Sequence, residues 1–150
     1  MKDRFQREID YIRISVTEKC NFRCRYCMPE EGVETIPHSE VLSFEEIVRV
    51  VWVLSELGIK KVKITGGEPL VRRDICTLIQ KIAKISGIED ITLTTNGFLL
   101  GEMAEQLKRA GIRTINVSVD TLNRREFADI CRRDGLCRSN NNNITVYIFN

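Results

Sequence analysis

The sequence contains no apolar run long enough to cross a bilayer. Its most apolar stretch, residues 47–54, is broken by Arg49 and falls well short of the roughly 20 residues a membrane helix needs. The N-terminus is charged throughout and lacks the apolar segment of a secretory signal. An excess of charge of one sign is also missing, since 23 basic residues face 21 acidic ones for a formal net charge of +2. Bulk charge therefore gives no pull toward nucleic acid or a membrane surface, and any anion site must be local. Histidine is nearly absent, with His38 alone. These absences predict a soluble, cytoplasmic chain with neither nucleic acid nor membrane as partner.

What remains is ordinary globular material: 150 residues, 43% hydrophobic and 29% charged, enough for one domain with a real core. Strand and helix signals alternate along it. Ile12, Ile14 and Val16 alternate as a short strand. A polar loop follows, and Ser43 with Glu46 then forms a capping box for a helix whose apolar face reads as Ile47, Val50, Val51 and Leu54, stopped at Gly58. Residues 61–65 read as a second strand, ending in Gly66-Gly67. A helix from Asp74 carries Ile75, Leu78, Ile79 and Ile82 on one face. Residues 90–94, a helix over 102–110, a strand over 113–119 and a helix capped by Asn123 through about Arg132 complete the pattern. Four successive β–α units predict an α/β fold with a parallel sheet. The chemically suggestive segments all follow strand ends: Cys20, Gly66-Gly67-Glu68, Asn96-Gly97 and Ser118-Val119-Asp120. Parallel sheets and barrels place their ligands at that end.

Six cysteines are present, and three of them crowd into eight residues as Cys20-x3-Cys24-x2-Cys27. In a reducing compartment such crowding points to metal rather than to disulfides. Three thiolates from one loop suit an iron–sulfur cluster with one iron left open to a further ligand. A structural zinc site with His38 as fourth ligand, or a redox Cys-x-x-Cys pair, are the alternatives. Cys76 and Cys131 fall among apolar helix positions and read as core. Gly66 and Gly67 lack side chains and let a ligand reach the backbone. Arg72 and Arg73 read as added local charge or as a solvated run.

Cys20-x3-Cys24-x-Tyr26-Cys27 after the first strand and Gly66-Gly67-Glu68-Pro69 after the second resemble the radical S-adenosylmethionine (SAM) superfamily. Residues 13–29, 64–74, 94–97 and 116–122, in that order, are similar to its GTP 3′,8-cyclase family of molybdenum cofactor biosynthesis, over about residues 3–136. The resemblance implies a partial (β/α) barrel and a lyase that rearranges GTP to (8S)-3′,8-cyclo-7,8-dihydroguanosine 5′-triphosphate. It implies a 4Fe-4S cluster on Cys20, Cys24 and Cys27, and SAM bound at Tyr26, Gly67 and Ser118. It implies GTP contacts at Arg13, Lys63 and Thr94. Lys63 stands where the family has arginine, which keeps the charge but loses the bidentate fork. A homodimer and the pyranopterin synthase of the next step are the partners implied. Another radical SAM enzyme, such as a peptide maturase, shares these N-terminal motifs.

The tail departs from this pattern. Residues 137–150 hold an Asn-rich run and an unpartnered apolar stretch, and they read as foreign to a domain spanning 1–136. The family's later β–α units, its further SAM-contacting methionine and its second cysteine trio have no counterpart. The chain therefore reads as a truncated core with an open fourth strand. The expectation is that anaerobically reconstituted chain yields no cyclic product from GTP, as checked by chromatography of the quenched reaction. Appearance of that product from this chain alone reverses it.

Overall fold

A computed structural model describes residues 2–34, 36–37 and 40–136. The order is β1 (Tyr11–Ser15), α1 (Phe44–Glu56), β2 (Lys61–Thr65), a 3₁₀ turn (Pro69–Val71), α2 (Ile75–Ala83), β3 (Asp90–Thr95), α3 (Leu100–Ala110), β4 (Thr114–Val117) and α4 (Arg124–Cys131). The four strands form one parallel sheet in sequence order. Register pairs Arg13 with Lys63, Lys63 with Thr92, and Thr94 with Asn116. The expected α/β fold is present, with a sheet that is open rather than closed into a barrel.

The two sheet faces differ because the pleat alternates. Val62, Ile64, Ile91, Leu93 and Ile115 point to one face and meet Ile47 and Val51 of α1, Ile75, Leu78, Ile79 and Ile82 of α2, and Leu107 and Ala110 of α3. Each such side chain contributes about 1.5–3 kcal/mol by leaving water. Arg13, Lys63, Thr92, Thr94 and Asn116 alternate with them and so project from the other face. Elements therefore bury one side only, and the polar side is left for chemistry.

α1 begins as its sequence predicts: Ser43 Oγ accepts from the Glu46 N–H at 3.2 Å, and Glu46 Oε2 accepts from the Ser43 N–H at 2.7 Å. Its apolar face is a correction. Ile47 and Val51 are buried, but Val50 is 44% exposed, because it lies about 100° around the helix from Val51. α2 starts after Asp74, which takes a left-handed conformation and gives no side-chain cap. α3 begins at Leu100 rather than Glu102, and β4 covers only Thr114–Val117. Arg72 is also read differently from its sequence context. Its guanidinium donates to the carbonyls of Val16 (2.5 Å) and Leu42 (2.6 Å) and lies 4.5 Å from the Phe44 ring, so it fastens the loop before α1 onto the end of β1. Residues 137–150, with Cys137, and also His38, lie outside the described residues.

A buried carboxylate joins the ends of β2 and β3. Glu68, 1% exposed, accepts from the Leu70 N–H (3.0 Å) and Thr95 Oγ1 (2.7 Å) on one oxygen and from the Asn96 N–H (2.7 Å) on the other. Burial pushes its carboxyl above the usual range, and these three donors pull it back down. Glu68→Gln replaces one acceptor oxygen by an NH₂ that faces donors. It should cost about 1–3 kcal/mol, read from urea unfolding. Ser43→Ala, which removes only the α1 cap, should cost about 1 kcal/mol in the same measurement.

Candidate radical SAM site

The site is built where the strands end, and its first requirement is a close approach of backbones. Pairing of β1 with β2 continues past both strands, with Val16 N–H donating to Thr65 O (2.9 Å), Gly67 N–H to Thr17 O (2.7 Å) and Glu68 N–H to Lys19 O (2.8 Å). The loop into Cys20 thereby lies flat on the end of β2. A Cβ on Gly67 would stand 2.4 Å from Lys19 O, and one on Gly66 2.5 Å from Thr17 O. No side chain fits at either position without moving backbone.

The loop then turns into the cysteines. Cys27 and Met28 N–H groups both donate to Cys24 O, at 2.9 and 3.1 Å. Cys20 Sγ accepts from the Phe22 N–H at 3.3 Å. Burial raises the Cys20 thiol above its ordinary value, and the nearby Glu68 charge adds to this. Asn96 Nδ2 donates to Asn21 Oδ1 at 2.8 Å and approaches Cys20 Sγ at 3.8 Å, tying the loop to the end of β3.

The far side of the loop is held by α4. Arg23 N–H donates to Cys131 O (3.0 Å) and Arg25 N–H to Ile130 O (2.9 Å). Arg25 pairs with Asp129, and Arg132 donates to the carbonyls of Arg23 and Met28. Beneath them Phe22, Phe127, Cys131 and Leu136 form a small second core, with Phe22 edge-on to both Phe98 and Phe127. Tyr26 is 70% exposed and its hydroxyl donates to Asp120 at 2.9 Å. Partial burial, then that hydrogen bond, pushes its phenol well above its ordinary value.

These segments enclose a cavity of about 200 Å³. It is lined by Cys20, Cys24, Cys27 and Tyr26 from the loop, by Gly66, Gly67 and Glu68 after β2, and by Thr94, Asn96, Ser118, Asp120 and Cys131. Of the residues singled out in the sequence, the three cysteines, Tyr26, Gly67, Ser118 and Thr94 meet here. Arg13 and Lys63 do not line it; they are register partners one strand apart on the polar face of the sheet. The sequence reading gave no ligand-site role to Asn96 or Asp120, and it took Cys131 only as core, where it is indeed buried. The first two were signalled only by their places after strands, and Cys131 by nothing local.

The lining suits a large polar ligand beside a cluster. Thr94 Oγ1 is buried without a hydrogen-bond partner, and so is Asn21 Nδ2 in the loop. A buried hydroxyl left unpaired costs about 1–3 kcal/mol, which a ligand at the cavity can return. Among the described residues no three His, Cys, Asp or Glu side chains converge tightly enough to hold a single metal ion. Cys20, Cys24 and Cys27 all line the cavity, and three cysteines on one cavity are a donor set that an iron–sulfur cluster can take. None of the described helices is long and apolar enough to cross a membrane.

Comparison with known proteins gives the same direction. The chain is 57% identical to a GTP 3′,8-cyclase of Desulforamulus reducens over 132 residues, covering 88% of this chain and 41% of that protein. It is 53% identical to the GTP 3′,8-cyclase of Pelotomaculum thermopropionicum, covering 91% and 42%. The chain thus spans about two fifths of the length of the curated relatives it matches. In fold it is similar to Streptococcus suis SuiB (TM-score 0.63, 23% identity, 81% of this chain and 26% of that one). It is also similar to BtrN in complex with AdoMet and 2-DOIA (TM-score 0.56, 20% identity, 82% and 52%). The pattern of the radical SAM superfamily matches residues 14–138 and takes in the end of β1, the other three strands and the whole cysteine loop. With that match, and with relatives above half identity, the chain belongs to the radical SAM superfamily, whose chemistry implies SAM and an iron–sulfur cluster.

Proposed function

We propose that this chain is the cluster- and SAM-binding part of a GTP 3′,8-cyclase, the lyase that rearranges GTP in molybdenum cofactor biosynthesis. The observation that carries the reading is the meeting of the cysteine loop, the Gly66-Gly67 strand end and the unpartnered Thr94 hydroxyl on one cavity, in a chain 57% identical to a protein of that activity. Cys20, Cys24 and Cys27 hold a 4Fe-4S cluster. When bound, the cluster and SAM together supply one-electron chemistry for hydrogen abstraction from substrate.

The chain's own groups bind and orient. Gly67, whose bare Cα lets the loop at 18–19 pack against it, lines the cavity and would offer backbone groups to the methionine end of SAM. Tyr26, braced by Asp120, and Ser118 line the same cavity and would offer it a ring and a hydroxyl. Glu68 is already committed to three donors of its own chain, so it shapes this wall rather than binding ligand. Arg13 and Lys63 give the polar sheet face two adjacent cations for a triphosphate, with Thr94 between that face and the cavity. The reading extends to a cytoplasmic homodimer whose product passes to pyranopterin synthase.

The test is anaerobic reconstitution of the full chain with iron and sulfide. Roughly four of each should be retained per chain, with thiolate-to-iron absorption. Reductant should then cleave SAM to methionine and 5′-deoxyadenosine. Single Cys→Ala changes at 20, 24 or 27 should abolish both. Wild-type chain that stays colourless, or a coloured chain that never consumes SAM, overturns the reading.

A further inference from the structure

Cys131 ends α4 at 2% exposure, so from sequence and burial alone it is a core thiol. Its surroundings give it more to do. The last turn of α4 runs beside the cysteine loop, and the hydrogen bonds Arg23 N–H to Cys131 O (3.0 Å) and Arg25 N–H to Ile130 O (2.9 Å) fall on either side of Cys24. Cys24 is thereby held beside the last turn of α4. A disulfide requires Cα atoms roughly 4.4–6.8 Å apart, so only segments held side by side in this way can form one. Arg132 holds the two segments together through Arg23 O (3.1 Å) and Met28 O (3.2 Å).

The side chains agree with the backbone. Cys24 packs against the small core to which Cys131 belongs. Both border the cavity, but they differ in access, since Cys24 is half-buried and Cys131 is sealed. A small oxidant entering the cavity reaches the half-buried Cys24 more readily than the sealed Cys131.

We propose that in the cluster-free chain Cys24 and Cys131 form a peroxide-sensitive thiol pair, which closes to a disulfide and so keeps the cluster ligand recoverable. In the first step the Cys24 sulfur attacks hydrogen peroxide. An S–O bond forms, the O–O bond breaks, and the departing hydroxide leaves as water with the thiol proton. In the second, the Cys131 sulfur attacks the Cys24 sulfenic sulfur. The S–S bond forms, the S–O bond breaks, and a second water leaves with the Cys131 proton. One peroxide is reduced to two waters while two thiols lose two electrons. Without Cys131, Cys24 is free to go on to sulfinic acid, which thiol reductants do not reverse. The cross-link needs no cluster, whereas its effect on cluster loading rests on the function proposed above.

The experiment uses full-length apo chain, reduced, desalted and exposed to hydrogen peroxide, then mapped by mass spectrometry of unreduced peptides. The expected major cross-link joins Cys24 to Cys131, with two free thiols lost and recovered on adding dithiothreitol. Iron uptake on reconstitution should fall about tenfold after peroxide and return after dithiothreitol. In Cys131→Ser the fall should be the same but should not return, and Cys24 should carry sulfinic acid. Cys131→Ala, compared with wild type by circular dichroism, separates this from misfolding. A dominant cross-link of Cys24 to Cys27 or Cys20, or a Cys131 thiol still free, overturns the proposal. If the untreated chain takes up no iron, the cluster reading fails while the cross-link map still decides the thiol pair.

Discussion

Backbone must pass directly over backbone where β2 ends, and the site depends on that contact. Residues 17–19 lie against Gly66 and Gly67 with oxygens 2.4–2.6 Å from where side-chain carbons would be. The contact carries three hydrogen bonds that extend the β1–β2 ladder into the loop, so Cys20 is placed by sheet register rather than by loop preference. A two-residue stretch without side chains thus fixes the entry of the cysteine loop, and the same bare stretch is what a ligand would meet from the cavity side.

Glu68 makes that arrangement rigid. A carboxylate at 1% exposure is tolerable only with its oxygens filled, and its donors come from β3 and from the 3₁₀ turn. Asn96, whose N–H it holds, turns its amide back to Asn21 in the loop. The strand ends and the loop are therefore one hydrogen-bonded unit. Two polar atoms within this otherwise satisfied region, Thr94 Oγ1 and Asn21 Nδ2, are left without partners. In a network so complete, the gaps are informative.

Much of this was legible in the sequence, and what was not has physical reasons. The strand-helix alternation follows from periodicity, and Ile75, Leu78, Ile79 and Ile82 are all buried as their spacing requires. Val50 was misread because four apolar residues within about two turns of α1 offer more than one face, and only the sheet decides between them. Arg72 looked like surface charge because nothing local shows that two carbonyls and the Phe44 ring, separated by up to 56 residues, converge on it. The three loop cysteines are obvious from spacing. That Cys131 borders the same cavity could not be read, because contacts between residues about a hundred positions apart leave no periodic trace.

The chain has two cores of unequal strength, and this bears on how the site behaves. Among the described residues the larger lies between the sheet and α1–α3, while the smaller lies between α4 and the cysteine loop and contains four buried side chains. Ordering a loop residue costs about 1–2 kcal/mol in backbone entropy, so a loop carrying three ligands needs an anchor. Here the anchor is the small core, together with the surface pair Arg25–Asp129 and the Arg132 clamp. Exposed ion pairs add little, so the loop's order rests mainly on Phe22 and its aromatic neighbours. This places the ligand-bearing segment at the less stable end of the fold, where local opening is cheapest. Whatever binds only the ordered loop draws it closed by mass action, and the strength of that coupling is set by how weakly α4 holds it beforehand.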